Sequence, residues 1–268
     1  MGARGEKAKL GVGFLGDVWN WFADGSHWSG NDGVIHRLTE HVQISIVSIV
    51  AAALIALPIG FLIGHVRKGG IATVNISNIG RALPSFALLI LMVQIFGLGE
   101  PSGAFSFIGS FPTFVVLVAI AIPPMITNTY IGMVGVDPEV REAARGMGMS
   151  GRQLLRGVEA PIALPLVWAG IRTGAIAVVA TATLAAYTGW GGLGRFIIDG
   201  LSTQDYVQVF AGALLVALLA IVFEFGLAGL QHLTVSRGLR VSARPGRRVE
   251  DAVPEVAPTA AAPPRPAG

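Results

Sequence analysis

Two ionisable residues stand where charge is expensive. Arg172 and Glu224 each fall well inside a stretch long and apolar enough to cross a bilayer. Arg172 lies ten residues beyond Ile162, and Glu224 nine before Leu233. At a rise of ~1.5 Å per residue these are depths of ~15 and ~13 Å from the same side. An unpaired charge there costs at least ~2.5 kcal/mol. The matched depths predict that Arg172 and Glu224 face each other, or share a polar network with Asn128. Such a pair could tie two spans together, or border a substrate path and change with gating. Pro123 and Pro124 adjoin in a third span, where each removes a backbone donor and favours a bend beside a polar cavity or a simple packing kink.

Other chemistry is sparse. Gly146-x-Gly148-x-x-Gly151 matches a dinucleotide fingerprint only literally, because no strand precedes it. The run from Gly146 to Arg152 imitates a phosphate-binding loop, yet Arg152 and Gln153 stand where Lys and Ser/Thr are required. The five histidines, His27, His36, His41, His65 and His232, show no metal-ligand spacing and are read as solvated or interfacial. The chain has no cysteine, so no disulfide, zinc knuckle or thiol nucleophile is available. No catalytic cluster stands out. The expectation is a protein with no catalytic, cofactor or metal site and no nucleotide site of its own.

The elements that must position these residues are membrane spans. Of 268 residues 53% are hydrophobic and 13% charged, well below the roughly 25% charge of soluble domains. The net charge of +3 is small, and the gathering of basic residues in a few loops reads as a topology signal rather than a nucleic-acid footprint. Five stretches reach the ~20 residues a helix needs to span: 42–66, 74–97, 112–136, 162–188 and 207–233. The second carries Asn75, Ser77, Asn78 and Arg81, and a break is expected near Leu83 and Pro84. Arg67 and Lys68, then Arg141, Arg145, Arg152 and Arg156, then Arg237, Arg240 and Arg244 mark one side. The positive-inside rule makes that side cytoplasmic. Trp19, Trp21, Phe22 and Trp28 suit an interfacial helix better than a sixth span over 10–23. Arg4, Lys7 and Lys9 conflict with an outer N-terminus. The organisation expected is an N-terminal segment 1–40, a transmembrane domain 41–235, and a Pro/Ala-rich disordered tail 241–268.

The cytoplasmic loop 137–161 is built to project. Asp137 is a good N-cap, Pro138 fits the first helical position, and Glu139 sits where the helix dipole favours an anion. Gly146 and Gly148 should end that helix near Arg145. Ser150 and Gln153 form a capping box for a second short helix, and Pro161 leads out of it into the fourth span. Two short helices meeting at a glycine bend suit insertion into a groove on a partner.

This loop resembles the EAA loop of ATP-binding-cassette importer permeases. Glu142-Ala143-Ala144 is followed after three residues by Gly148, and nine residues later by Val158-Glu159-Ala160-Pro161, with Val for Ile and Ala for Leu. The stretches Arg81-Ala82-Leu83-Pro84-Ser85, Asn128-Thr129-Tyr130, Ala169-Gly170-Ile171-Arg172-Thr173 and Gly191-Gly192-Leu193-Gly194 resemble most closely permeases for glycine betaine, choline and carnitine. The resemblance implies an all-α, polytopic bundle of five core transmembrane helices (MetI-like) with cytoplasmic coupling helices, in a bacterial inner membrane. It implies that Glu142, Ala143, Ala144, Gly146, Gly148, Ser150 and Arg152 couple to the ATPase, and that Gly191, Gly192 and Gly194 form an outer-gate or binding-protein contact, or merely a turn. The implied partners are two ATP-binding subunits that hold the ATP and Mg, a second permease, identical or homologous, an extracytoplasmic substrate-binding protein and the lipid bilayer, with no nucleic acid. The implied function is import of an osmoprotectant by alternating access. A permease for methionine or another amino acid shares the fold, and an ATP-independent secondary transporter is the reading from another class.

Overall fold

The computed structural model describes residues 2–67, 75, 84–97, 111–236 and 238, with side chains from residue 13 onward. Every regular element among them is helical. In chain order these are α1 (Gly2–Ala23), α2 (Val34–Val66), α3 (Ser85–Phe96), α4 (Phe111–Val134), α5 (Pro138–Gly146), α6 (Gly151–Leu154), α7 (Ala160–Thr181), α8 (Gly194–Thr203) and α9 (Tyr206–Thr234). A π-helical turn, Leu155–Glu159, joins α6 to α7, and a 3-10 segment, Ala182–Thr188, follows α7.

Four runs are long and apolar enough to cross a bilayer: Val34–Val66, Phe111–Val134, Gly151–Thr188 and Tyr206–Thr234. Of the second expected stretch, 74–97, the structure describes α3, which starts at an extended Pro84. Ser77, Asn78, Arg81 and Leu83 lie outside the described residues, as do Lys68, Glu100, Arg237, Arg240, Arg244 and the tail. α2 begins eight residues before the expected 42. His36, Arg37, Glu40 and His41 lengthen the helix without lengthening its apolar part, so a rule based on apolar length misses that turn and more.

α4 runs through the middle of the bundle. Gly60 and Gly64 of α2 press on Thr129 and Met133, and Gly170 and Gly174 of α7 press on Pro124, Asn128 and Ala121. A Cβ at any of the four would overlap or crowd α4. Small residues four apart let backbones approach closely, which is where helix association in lipid gains its packing energy. Ala52, Ala56, Leu117, Ala121, Met125, Ala175 and Val178 fill the resulting seam. Pro123 and Pro124 are accommodated within one continuous helix.

The two ends of the bundle follow from contacts. Arg67 donates to Val136 O at 2.8 Å, joining the end of α2 to the end of α4. This end carries Arg141, Arg145, Arg152 and Arg156 and is the cytoplasmic one. At the other end Thr113 meets Thr188 at 3.3 Å, and the Phe96 and Phe111 rings stand 5.0 Å apart. α1 reaches the outer ends of α9 and α8 through Phe14 on Phe210 and Trp21 on Phe196, with ring centroids 5.5 and 5.6 Å apart.

Candidate functional site: the cytoplasmic knob and the polar ties of the bundle

The cytoplasmic loop folds by its own local chemistry. Asp137 accepts from Glu139 N at 2.8 Å and caps α5, with Pro138 in the first turn. Gly148 adopts φ +84°, a left-handed conformation that ends the helix cheaply only for glycine. Ser150 N donates to Gln153 Oε1 at 2.8 Å, completing the capping box of α6. Glu142, Ala143, Gly146, Met147, Gly148, Ser150 and Arg152 are exposed, whereas Ala144 and Leu154 are buried beneath them. The knob therefore presents one face outward and anchors the other. Met149, Arg152, Gln153, Arg156 and Gly157 line a shallow depression on its flank.

Pro161, expected to lead out of the second short helix into the fourth span, lies within a helical run that does not break there. The chain runs without interruption from Gly151 to Thr188. Ala160 donates to Leu155 O, five residues back, so the helix widens by one residue just before the proline. Pro161, which has no N–H to donate, then follows as the second residue of α7. The knob is thereby joined to the span by a continuous helix.

At mid-membrane Arg172 Nη2 donates to Glu224 Oε1, tying α7 to α9. Arg172 Nη1 donates to Gln231 Oε1 at 3.0 Å. Both charged side chains remain 30% exposed, beside a cleft lined by Ile176, Ala220, Ile221 and Phe225. Asn128 is not brought to this pair. Its Nδ2 donates to Pro124 O at 2.8 Å on its own helix, a local bond that a short amide makes readily to the carbonyl four residues back. Gln231 takes the place expected for it.

Gly191, Gly192 and Gly194 are buried against their own chain, in the manner of a tight turn, one of the two readings the sequence left open. Gly192 N donates to Glu40 Oε2 at 2.8 Å, and Leu193 N to His41 Nδ1 at 3.3 Å. A Cβ on Gly191 would fall inside the Glu40 carboxylate, and one on Gly194 would meet Thr183 O. The close surface that Gly191 and Gly192 serve is α2 of the same chain, and for Gly194 it is the 3-10 segment that follows α7. His41 is fully buried, and because Nδ1 accepts, Nε2 carries the proton and donates to Val179 O at 2.9 Å. His41 is thus a core residue and not a solvated one. Glu40, His41, His65, Arg141 and Glu159 all escaped the sequence reading as partners. The available signal was polar residues flanking the ends of apolar runs.

These features define a polytopic helical membrane component, with spans packed on a central helix and a capped knob on the cytoplasmic face. Residues 56–236 match the family described as the binding-protein-dependent transport system inner membrane component, and the chain belongs to that family. It is 33% identical over 207 residues to a glycine betaine/carnitine/choline transport system permease protein of Bacillus subtilis, covering 77% of this chain and 91% of that one. It is 35% identical over 213 residues to an osmoprotectant import permease protein of Salmonella typhimurium, covering 78% and 96%. The fold is shared with the methionine transporter MetNI in an inward-facing conformation, at a TM-score of 0.61 and 22% identity over 76% of this chain and 96% of that chain. The family supplies the inner-membrane component of its transport system. Among the described residues no group of three or more His, Asp or Glu could hold a metal.

Proposed function

We propose that this chain is the permease half of an ATP-driven importer for osmoprotectants of the quaternary-amine and betaine class. The observation that carries the reading is the exposed knob, with Glu142, Ala143 and Met147 outward and a continuous helix behind it. Glu142, Ala143, Ala144, Gly146, Gly148, Ser150 and Arg152 couple it to a separate ATP-binding subunit, which holds the ATP and Mg. One chain forms half a pathway, so a second permease and two ATP-binding subunits complete the translocator. An extracytoplasmic binding protein delivers substrate. The names of the relatives support the substrate class. Residues 41–235 form the translocating domain. The aromatic contacts of α1 at the outer end of the bundle support an interfacial role for segment 1–40, and the composition of 241–268 supports a disordered tail. Arg172, Glu224 and Gln231 hold α7 to α9 at mid-depth, so that the two spans move as one.

The test is reconstitution. The complex of this chain with its ATP-binding subunit and binding protein is placed in liposomes and supplied with glycine betaine, choline, carnitine or methionine. Vanadate-sensitive uptake of a quaternary amine is expected. Uptake of methionine alone would replace the substrate class, and uptake indifferent to ATP and vanadate would refute the importer reading.

A further inference from the structure

Beneath the knob lies a buried charge cluster that the coupling reading above does not use. Glu159, the last residue of the π turn, is 1% exposed. Its Oε2 accepts from His65 Nδ1 at 2.5 Å, and its Oε1 lies 2.6 Å from Arg141 Nε. Arg141, itself buried, also donates through Nη2 to His65 O at 3.3 Å. One carboxylate therefore ties a distant helix to both ends of the knob. His65 stands in the last turn of α2, Arg141 belongs to the first turns of α5, and Glu159 sits at the foot of α7. The first residue of α6, Gly151, lies against His65 as well: a Cβ there would stand 3.5 Å from its Nε2.

The arrangement has a mechanical consequence. α7 follows the knob because the chain is continuous, but α2 has no covalent path to it shorter than the whole of α3 and α4. A buried carboxylate between two basic groups is costly to separate, since each parting leaves an uncompensated charge out of water. The π turn supplies the geometry, because the added residue changes the helical register just where Glu159 must turn inward. Outside the cluster, Arg67 links the end of α2 to Val134 O and Val136 O, the carbonyls at the end of α4 and just beyond it, and not to the knob.

We propose that Glu159 is a positioning residue that clasps α2 to the knob through His65 and Arg141, so that the motor's stroke moves α2 and α7 together. The proposal rests on the coupling reading of the knob, and the experiment separates the two. The chain has no cysteine, so labels can be placed singly at Met147 on the knob and Val66 at the end of α2, both exposed. In the full transporter in liposomes, the distance between labels is measured by electron-spin spectroscopy without nucleotide and after vanadate trapping. The unmodified clasp keeps this distance constant while the knob moves relative to an outer label at Tyr206. In Glu159→Gln and in His65→Leu the distance changes on trapping, and substrate moved per ATP hydrolysed falls about tenfold. A constant distance and an unchanged ratio in both variants would overturn the proposal. Should His65→Leu fail to assemble, Glu159→Gln, which keeps the side-chain shape, decides. If the knob of the unmodified chain neither binds an ATPase subunit nor moves on trapping, the coupling reading fails instead.

Discussion

Breaking the Arg172–Glu224 pair gives a magnitude that can be worked from the structure. Removing one partner of a buried pair costs about 3–5 kcal/mol, and an unpaired Arg at mid-helix in a bilayer about 2.5–3.5 kcal/mol. Both side chains keep 30% of their exposure, and Gln231 remains 3.0 Å from Arg172 when Glu224 is lost. The expected loss for Glu224→Met is therefore smaller, about 2 kcal/mol. Arg172→Met strands Glu224 and should cost a similar amount, about 2 kcal/mol. Replacing both residues by Met removes the charges altogether and should return stability to within about 1 kcal/mol of the starting protein. The coupling in a double-mutant cycle is then about 3 kcal/mol, and Arg172→Glu with Glu224→Arg should recover at least about half of a single loss. The assay is equilibrium unfolding in mixed micelles followed by tryptophan fluorescence. Additive single effects, with coupling below about 0.5 kcal/mol and no recovery in the swap, would refute the argument.

Three further outcomes follow from close contacts. Gly191→Ala drives a methyl into the Glu40 carboxylate and should cost about 1–3 kcal/mol, relieved when Glu40 is shortened to Ser in the same chain; absence of relief would place the strain elsewhere. His41→Leu keeps much of the volume but leaves Leu193 N without its partner, so a loss of about 1–3 kcal/mol and faster proteolysis near Gly192 are expected. Gly64→Leu collides with Met133 and should lower unfolding stability by about 1–3 kcal/mol, with Met133→Ala restoring part of it.

What could be read before the structure was local, or depended on one repeated period. The caps at Asp137 and Ser150 need partners two and three residues away, so their spacing alone announces them. The depths of Arg172 and Glu224 follow from counting along two apolar runs. Asn128, offered as an alternative member of that network, stays apart because a bond within its own helix competes with any longer reach. The ties of Glu40 and His41 to the 191–193 turn cross 152 positions, and no period in the chain points from one to the other. Glu159 stood in a motif position where any residue type passed unremarked. The π turn before it also leaves no compositional mark, because it differs from an α-turn by a single shifted hydrogen bond.

The central claim is that the knob seats in a separate ATP-binding subunit. A single cysteine in place of Met147, which is 74% exposed at the knob's tip, offers a direct measurement in a chain without native cysteines. With a short thiol-linked photo-crosslinker, membranes holding the assembled transporter should yield one dominant adduct, between this chain and the ATP-binding subunit. Capture of lipid and solvent alone, with uptake intact, would contradict the account.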